Sequence, residues 1–135
     1  MEESGLYIVT LKNQEPISVN AQDKRIADKA IKVTSKNCKF GKARIFKRRK
    51  KDYEKVFGIE NVTFHPIVAM LEIELAEREV LTKLDKFRVR GKTGRKNEWL
   101  QGISPEDVYS IALSTLCKMG LEHTVIQNNF NKIVP

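Results

Sequence analysis

Three kinds of side chain stand where a folding core would not choose them. Tyr7 lies in the apolar stretch GLYIVTLK, Arg49 in the basic run KFGKARIFKRRKKDYEKVFG, and Glu77 and Glu79 in ELAEREVLTKL. An arginine presents a planar, permanently charged fork that matches phosphate oxygens. A carboxylate can hold a hard cation such as Mg²⁺. A phenol can pass a proton to or from water once its pKa is lowered from near 10. Such groups suit the hydrolysis of a phosphate ester. Each also has an ordinary use. A strand tyrosine packs with its hydroxyl wetted, an arginine in a basic run meets phosphate or solvent, and early helical glutamates favour the dipole. The basic run alone leaves open whether it only grips phosphates or supplies a reacting arginine.

The elements that must position these groups follow from periodicity. Residues 5–12 alternate and are rich in β-formers, which predicts a strand, with EPISV as a second short one. Helical spacing of Ile26, Ala27, Ala30 and Ile31 predicts a short helix around 23–33. NCKFG reads as a brief strand ending at Gly41, and residues 44–56 as a basic amphipathic helix stopped at Phe57-Gly58. Residues 61–73 read as a strand in which Pro66 forces a bulge or an edge position. Residues 74–87 form a helix with a leucine-rich face, and RVRGKTGRKN reads as a basic loop. SPEDVYSIALSTLCKMG is the clearest helix, with Ser104 as N-cap, Pro105 and Asp107 in the first turn and Gly120 as its stop. The fold class expected is mixed α+β: a small, mostly antiparallel sheet flanked by helices.

The chain has 135 residues and a net charge of +8, which predicts one domain and a polyanionic partner, most commonly nucleic acid. No apolar run suggests a membrane span, and the amino terminus lacks the features of a signal peptide, so an intracellular protein is expected. Cys38 and Cys117 match no metal spacing and are read as buried thiols. His65 and His123 fall away from the other candidates and are assigned no chemistry. Trp99 is read as a core anchor.

Taken in order, these residues resemble the GIY-YIG nuclease superfamily. Gly5-Leu6-Tyr7 stands in for the first signature and Lys39-Phe40-Gly41 for the second, with Lys39 replacing a tyrosine. Arg49 follows Gly41 by eight positions, the offset of the phage homing nucleases in that superfamily, with Arg48 as the neighbouring alternative. Glu79, with Glu77 second, falls on the helix that carries the metal ligand, and Glu98-Trp99 is similar to a pair found in a viral and phage branch. The interval from Tyr7 to Gly41 exceeds a simple hairpin, implying an insertion over residues 13–37.

The resemblance covers about residues 5–100, with an extra helix at 104–120, and implies a three-stranded sheet. It further implies a DNA endonuclease that uses Mg²⁺ or Mn²⁺. Glu79 would bind the metal, Arg49 would stabilise the transition state and Tyr7 would act as general base. Lys39 and Tyr53 would be further catalytic residues, and Lys39, Lys42 and Arg49 would lower the Tyr7 pKa. Duplex DNA would lie against Lys42, Arg44, Lys47, Arg48, Lys50 and Lys51, and against Arg88, Arg90, Lys92, Arg95 and Lys96. RNA is not set aside as a partner. Cutting both strands with one site would take two copies, as in a homodimer, or two visits. The alternative is a basic DNA- or RNA-binding module on a degenerate nuclease fold.

Overall fold

The computed structural model describes residues 3–20, 23, 25, 30–91, 94 and 96–131. The first strand, β1 (Gly5–Leu11), is apolar on both faces because it lies inside the sheet. It pairs with β4 (Asn37–Ala43) on one side and β5 (Val62–Ala69) on the other, both antiparallel. Between β1 and β4 the chain forms a separate two-stranded ribbon, β2 (Ile17–Ser18) and β3 (Lys32–Val33). The helix expected around 23–33 falls mainly outside the described residues, and its end is corrected: Lys32–Val33 is extended and pairs with Ile17–Ser18.

Further strands widen the sheet. The basic segment expected to be a loop is largely a hairpin of β6 (Arg88–Arg90) and β7 (Lys96–Gln101). Near the carboxyl end β8 (Thr124–Val125) pairs with Val68 and Ala69. The order is β6-β7-β4-β1-β5-β8, antiparallel throughout, so the sheet has six strands rather than three. Pro66 behaves as expected. The register of β5 against β1 shifts at Leu6/Tyr7, so that Leu6 faces Val68 while Tyr7 faces Pro66 and a bulge absorbs Ile67.

Period-two alternation in β1 divides the interior into two cores. Leu6 and Ile8 join Phe40, Ile67 and Leu100 against the helices α2 (Ile73–Lys83) and α3 (Pro105–Met119). Tyr7, Val9 and Leu11 face the other way, toward Phe46, Tyr53 and Phe57 of α1 (Phe46–Phe57), Val33 of the ribbon and Trp99 of β7. Each fully buried aliphatic side chain here contributes roughly 1.5–3 kcal/mol by leaving water. α2 ends at Lys83, earlier than the predicted 87, and a 3₁₀ turn over Asp85–Phe87 leads into β6. Ser104 caps α3 by accepting a hydrogen bond from the Asp107 N–H, and Gly120 ends the helix at φ 68°. Cys38 is buried as expected, but Cys117 is exposed on α3. Among the described residues no helix is long and apolar enough to cross a membrane.

Gly41 is fixed by packing. It pairs with Tyr7, and the ring folds over it: a Cβ at position 41 would lie 2.5 Å from the Tyr7 hydroxyl oxygen and 2.6 Å from Cζ. The variant Gly41→Ala is therefore expected to lower the unfolding free energy by about 2 kcal/mol, as overpacking does. Urea denaturation measures this, and an unchanged midpoint would contradict the placement of the ring.

Candidate functional site

The Tyr7 hydroxyl meets the Tyr53 hydroxyl at 2.6 Å, joining the central strand to α1. Tyr53 is held there because Phe46, Tyr53 and Phe57 recur along the helix face turned to the sheet. The same periodicity turns Lys47, Arg48, Lys50 and Lys51 to solvent. Arg49 lies between these two faces. Its charge acts on Tyr7, Tyr53 and Lys39, and it lines two adjoining clefts. Arg48 lines only the first.

Lys39 projects from β4 on the same face as Tyr7, since it pairs with Val9 and Trp99. Its ammonium sits 5.0 Å above the centre of the Tyr53 ring, a cation–π contact. Burial lowers the Lys39 pKa and Arg49 lowers it further, while Glu98 and Glu77 oppose them. Lys39 thus adds to the two phenols a group that can also exchange a proton.

Two carboxylates act on this cluster, Glu77 and Glu98. On α2 Glu77 follows Ile73 by four residues and so shares the buried face with Ile73, Ala76 and Val80. Its carboxylate binds the Lys42 ammonium at 2.7 Å, and its side chain is 15% exposed. The charges acting on Tyr7 are those of Arg49, Glu77 and Glu98. Glu79, half-buried like Glu77, is two residues farther on, about 200° around the helix from it. Among the described residues no three His, Cys, Asp or Glu side chains gather as a metal cage. A single carboxylate can also hold Mg²⁺ by sharing the ion with water and a bound phosphate, but the Glu77 carboxylate is engaged by Lys42.

The first cleft, about 330 Å³, is lined by Lys42, Arg44, Ile45, Arg48, Arg49, Asp52, Ile73 and Glu74. Four of these carry positive charge, which suits a phosphate group. Arg44 shares its charge with Glu74 at 3.5 Å, an exposed pair of little energetic weight. The second cleft, about 250 Å³, opens beside Lys39, Tyr53 and Trp99. A larger cavity, about 680 Å³, lies apart from this chemistry, between Glu3-Ser4, residues 69–72 and residues 120–124.

Two cations of the basic hairpin have a structural use. Arg88 donates to the Asn97 carbonyl at 2.8 Å, and both Arg88 and Lys96 pair with Asp85, bracing β6 and β7 against the 3₁₀ turn. The Lys96 hydrogen bond holds the Asp85 carboxyl below its ordinary pKa. Arg90 is exposed and donates to the Gly94 carbonyl at 3.4 Å. Lys92 and Arg95 lie outside the described residues. Trp99 is the core anchor expected, edge-on to Phe57 at 5.5 Å. His65 is buried and shares a hydrogen bond with the Thr10 hydroxyl at 2.9 Å, and burial lowers its pKa.

A Tyr7 pKa lowered by cations was expected. The reverse holds: burial pushes Tyr7 from 10 up to about 12, outweighing Tyr53 and Arg49, which act to lower it. Burial raises Tyr53 as well. Asn97 and Asp52, which line the second cleft, were not anticipated from sequence. Helical spacing from Arg49 could have found Asp52, whereas Asn97 carried no signal. Comparison of the chain with family models, curated proteins and solved structures finds no match.

The Tyr7 shift sets a test of stability. Its pKa is higher folded than unfolded, so the fold favours the neutral phenol. That contribution is complete below pH 10 and is lost as pH rises toward 12. Between those values the wild type is expected to lose roughly 2 kcal/mol more unfolding free energy than Tyr7→Phe. Denaturant titrations at each pH measure the difference, and parallel curves would contradict a buried Tyr7 hydroxyl.

Proposed function

We propose that this protein is a metal-dependent endonuclease of the GIY-YIG type, hydrolysing phosphodiester bonds in DNA. The observation that carries the reading is the meeting of Tyr7, Tyr53, Arg49, Lys39 and Glu77, from four separate elements, around a glycine that leaves room for the Tyr7 ring.

In this reading the scissile phosphate enters the cleft lined by Lys42, Arg44, Arg48 and Arg49. Arg49 stabilises the charge that builds on the phosphate oxygens in the transition state, an effect strongest where water is excluded. Mg²⁺ or Mn²⁺, held by Glu77 together with phosphate oxygens, would supply Lewis-acid relief of that charge and of the leaving oxygen. Tyr7 and Tyr53 form a pair of hydroxyls along which a proton from the attacking water can be passed, and Arg49 favours the ionised form of both. Lys39 stands against the same pair, and in its neutral amine form, which burial favours, it would take up the proton once it has moved. The exposed lysines and arginines of α1 hold the duplex backbone by salt-sensitive contacts that carry no sequence preference.

A second reading is favoured by one observation: Lys42 already neutralises Glu77. A module that binds DNA without cutting would be built this way. Plasmid nicking in Mg²⁺ and Mn²⁺ separates the two. The wild type is expected to nick, Arg49→Ala to lose about 100-fold or more in rate, and Glu77→Gln to fall to background while Glu79→Gln retains activity. Absence of nicking by the wild type, with DNA still retarded equally by the wild type and Glu77→Gln, establishes the binding module instead.

A further inference from the structure

The six-stranded sheet ends in two edges of different character. β6 carries Arg88 and Arg90, and charged side chains on an edge discourage a further strand from adding. At the other end β8 is Thr124 and Val125, uncharged and exposed, and among the described residues no strand lies on its outer side. The pairing fixes which way its backbone points. Val125 stands opposite Val68, and the next residue, Ile126, donates its N–H to the Ile67 carbonyl at 2.9 Å. In an antiparallel ladder that makes Val125 and Val68 a non-hydrogen-bonded pair, so the N–H and C=O of Val125 point away from β5. They offer one donor and one acceptor to another extended backbone.

The surface beside this edge is apolar at one point and acidic at others. Leu71, just past β5, is 89% exposed, and Val125 is 45% exposed. Leu71 and Thr124 border the cavity of about 680 Å³, and so do Glu3, Glu72 and Glu122. Among the described residues no lysine or arginine lines it, and none of the three carboxylates is in an ion pair. On a chain with a net charge of +8 this is a local reversal of sign. We propose that this edge docks an extended segment of a partner protein in which lysine or arginine alternates with apolar residues. The segment adds to the sheet as a strand, its backbone pairing with Val125, an apolar side chain covering Leu71 and a cationic one entering the cavity among the glutamates. Charge decides the occupant. A second copy added edge to edge would present TVIQNNFN, residues 124–131, which holds no cation to meet those glutamates. A cationic strand is attracted there and repelled by the positive charge elsewhere on the molecule. The inference stands apart from the endonuclease reading, whose residues lie on β1, β4, α1 and α2.

Fluorescence anisotropy tests it with the full chain and three short, blocked, labelled peptides. One alternates lysine with valine, one alternates glutamate with valine, and one is the lysine peptide with methylated backbone nitrogens, which cannot donate. The lysine–valine peptide is expected to bind about tenfold tighter than either of the others, the methylated one reporting the loss of a hydrogen bond. Glu72→Lys combined with Glu122→Lys, both at exposed positions, is expected to remove the preference for lysine over glutamate. Val125→Pro is expected to weaken binding about tenfold with an unchanged thermal melt, because the N–H it removes points outward. Absence of binding, or equal affinity for the lysine and glutamate peptides, overturns the docking edge. Full affinity in Val125→Pro moves the peptide off β8 and overturns it equally. Should Val125→Pro lower the melt, the methylated peptide decides on the wild type, and its binding as tightly as the unmethylated one overturns strand pairing. A dimer in sedimentation that Val125→Pro separates puts a second copy on the edge and overturns the cationic partner.

Discussion

The hydrogen bond between the Tyr7 and Tyr53 hydroxyls is the constraint on which the site depends. It ties the most buried strand of the sheet to the helix that carries the cations, and both rings are almost wholly removed from water. A phenol so placed needs a partner for its hydroxyl, and each satisfies the other. The Tyr7 ring in turn requires that residue 41 have no side chain. One polar contact thus sets the height of α1 above the sheet, the identity of Gly41 and the position of Arg49 one helical turn before Tyr53.

Charge is distributed unevenly around that contact. The solvent side of α1 carries cations in succession, while the β6–β7 hairpin, equally basic in sequence, spends part of its charge on Asp85. Lys42 and Glu77 neutralise each other at the meeting point of β4 and α2. What remains is a positively lined cleft beside two neutral phenols, an arrangement that attracts a phosphate without itself ionising the tyrosines. Burial has the larger effect on Tyr7, and Arg49 only moderates it.

Much of this was legible in the sequence for identifiable reasons. β1, α1 and α3 have clean periodicity and definite stops, so their ends were placed within a few residues. The resemblance singled out both Tyr7 and Tyr53, whose hydroxyls the fold joins. β6, β7 and β8 were missed because strand signals rely on alternation of apolar residues. RVR and KNEWLQ are dominated by polar side chains, and Thr124–Val125 is exposed. Which of Glu77 and Glu79 acts on Tyr7 depends on the phase of α2 relative to the sheet, which the leucine pattern alone set too loosely. The rise in the Tyr7 pKa was hidden for a related reason: sequence shows which cations are nearby but not how deeply the ring is buried.

The proposed function requires that Glu77, which is ion-paired to Lys42 of the basic cleft, hold the metal in place of Glu79, beside Arg49 and the tyrosine pair. A crystal of the protein with a short oligonucleotide, soaked in Mn²⁺ and measured at the manganese edge, tests it directly. The account predicts one anomalous peak bound to the Glu77 carboxylate, with a phosphate oxygen beside it and Arg49 on the same phosphate. A peak on Glu79, or a phosphate bound elsewhere on the molecule, would contradict it.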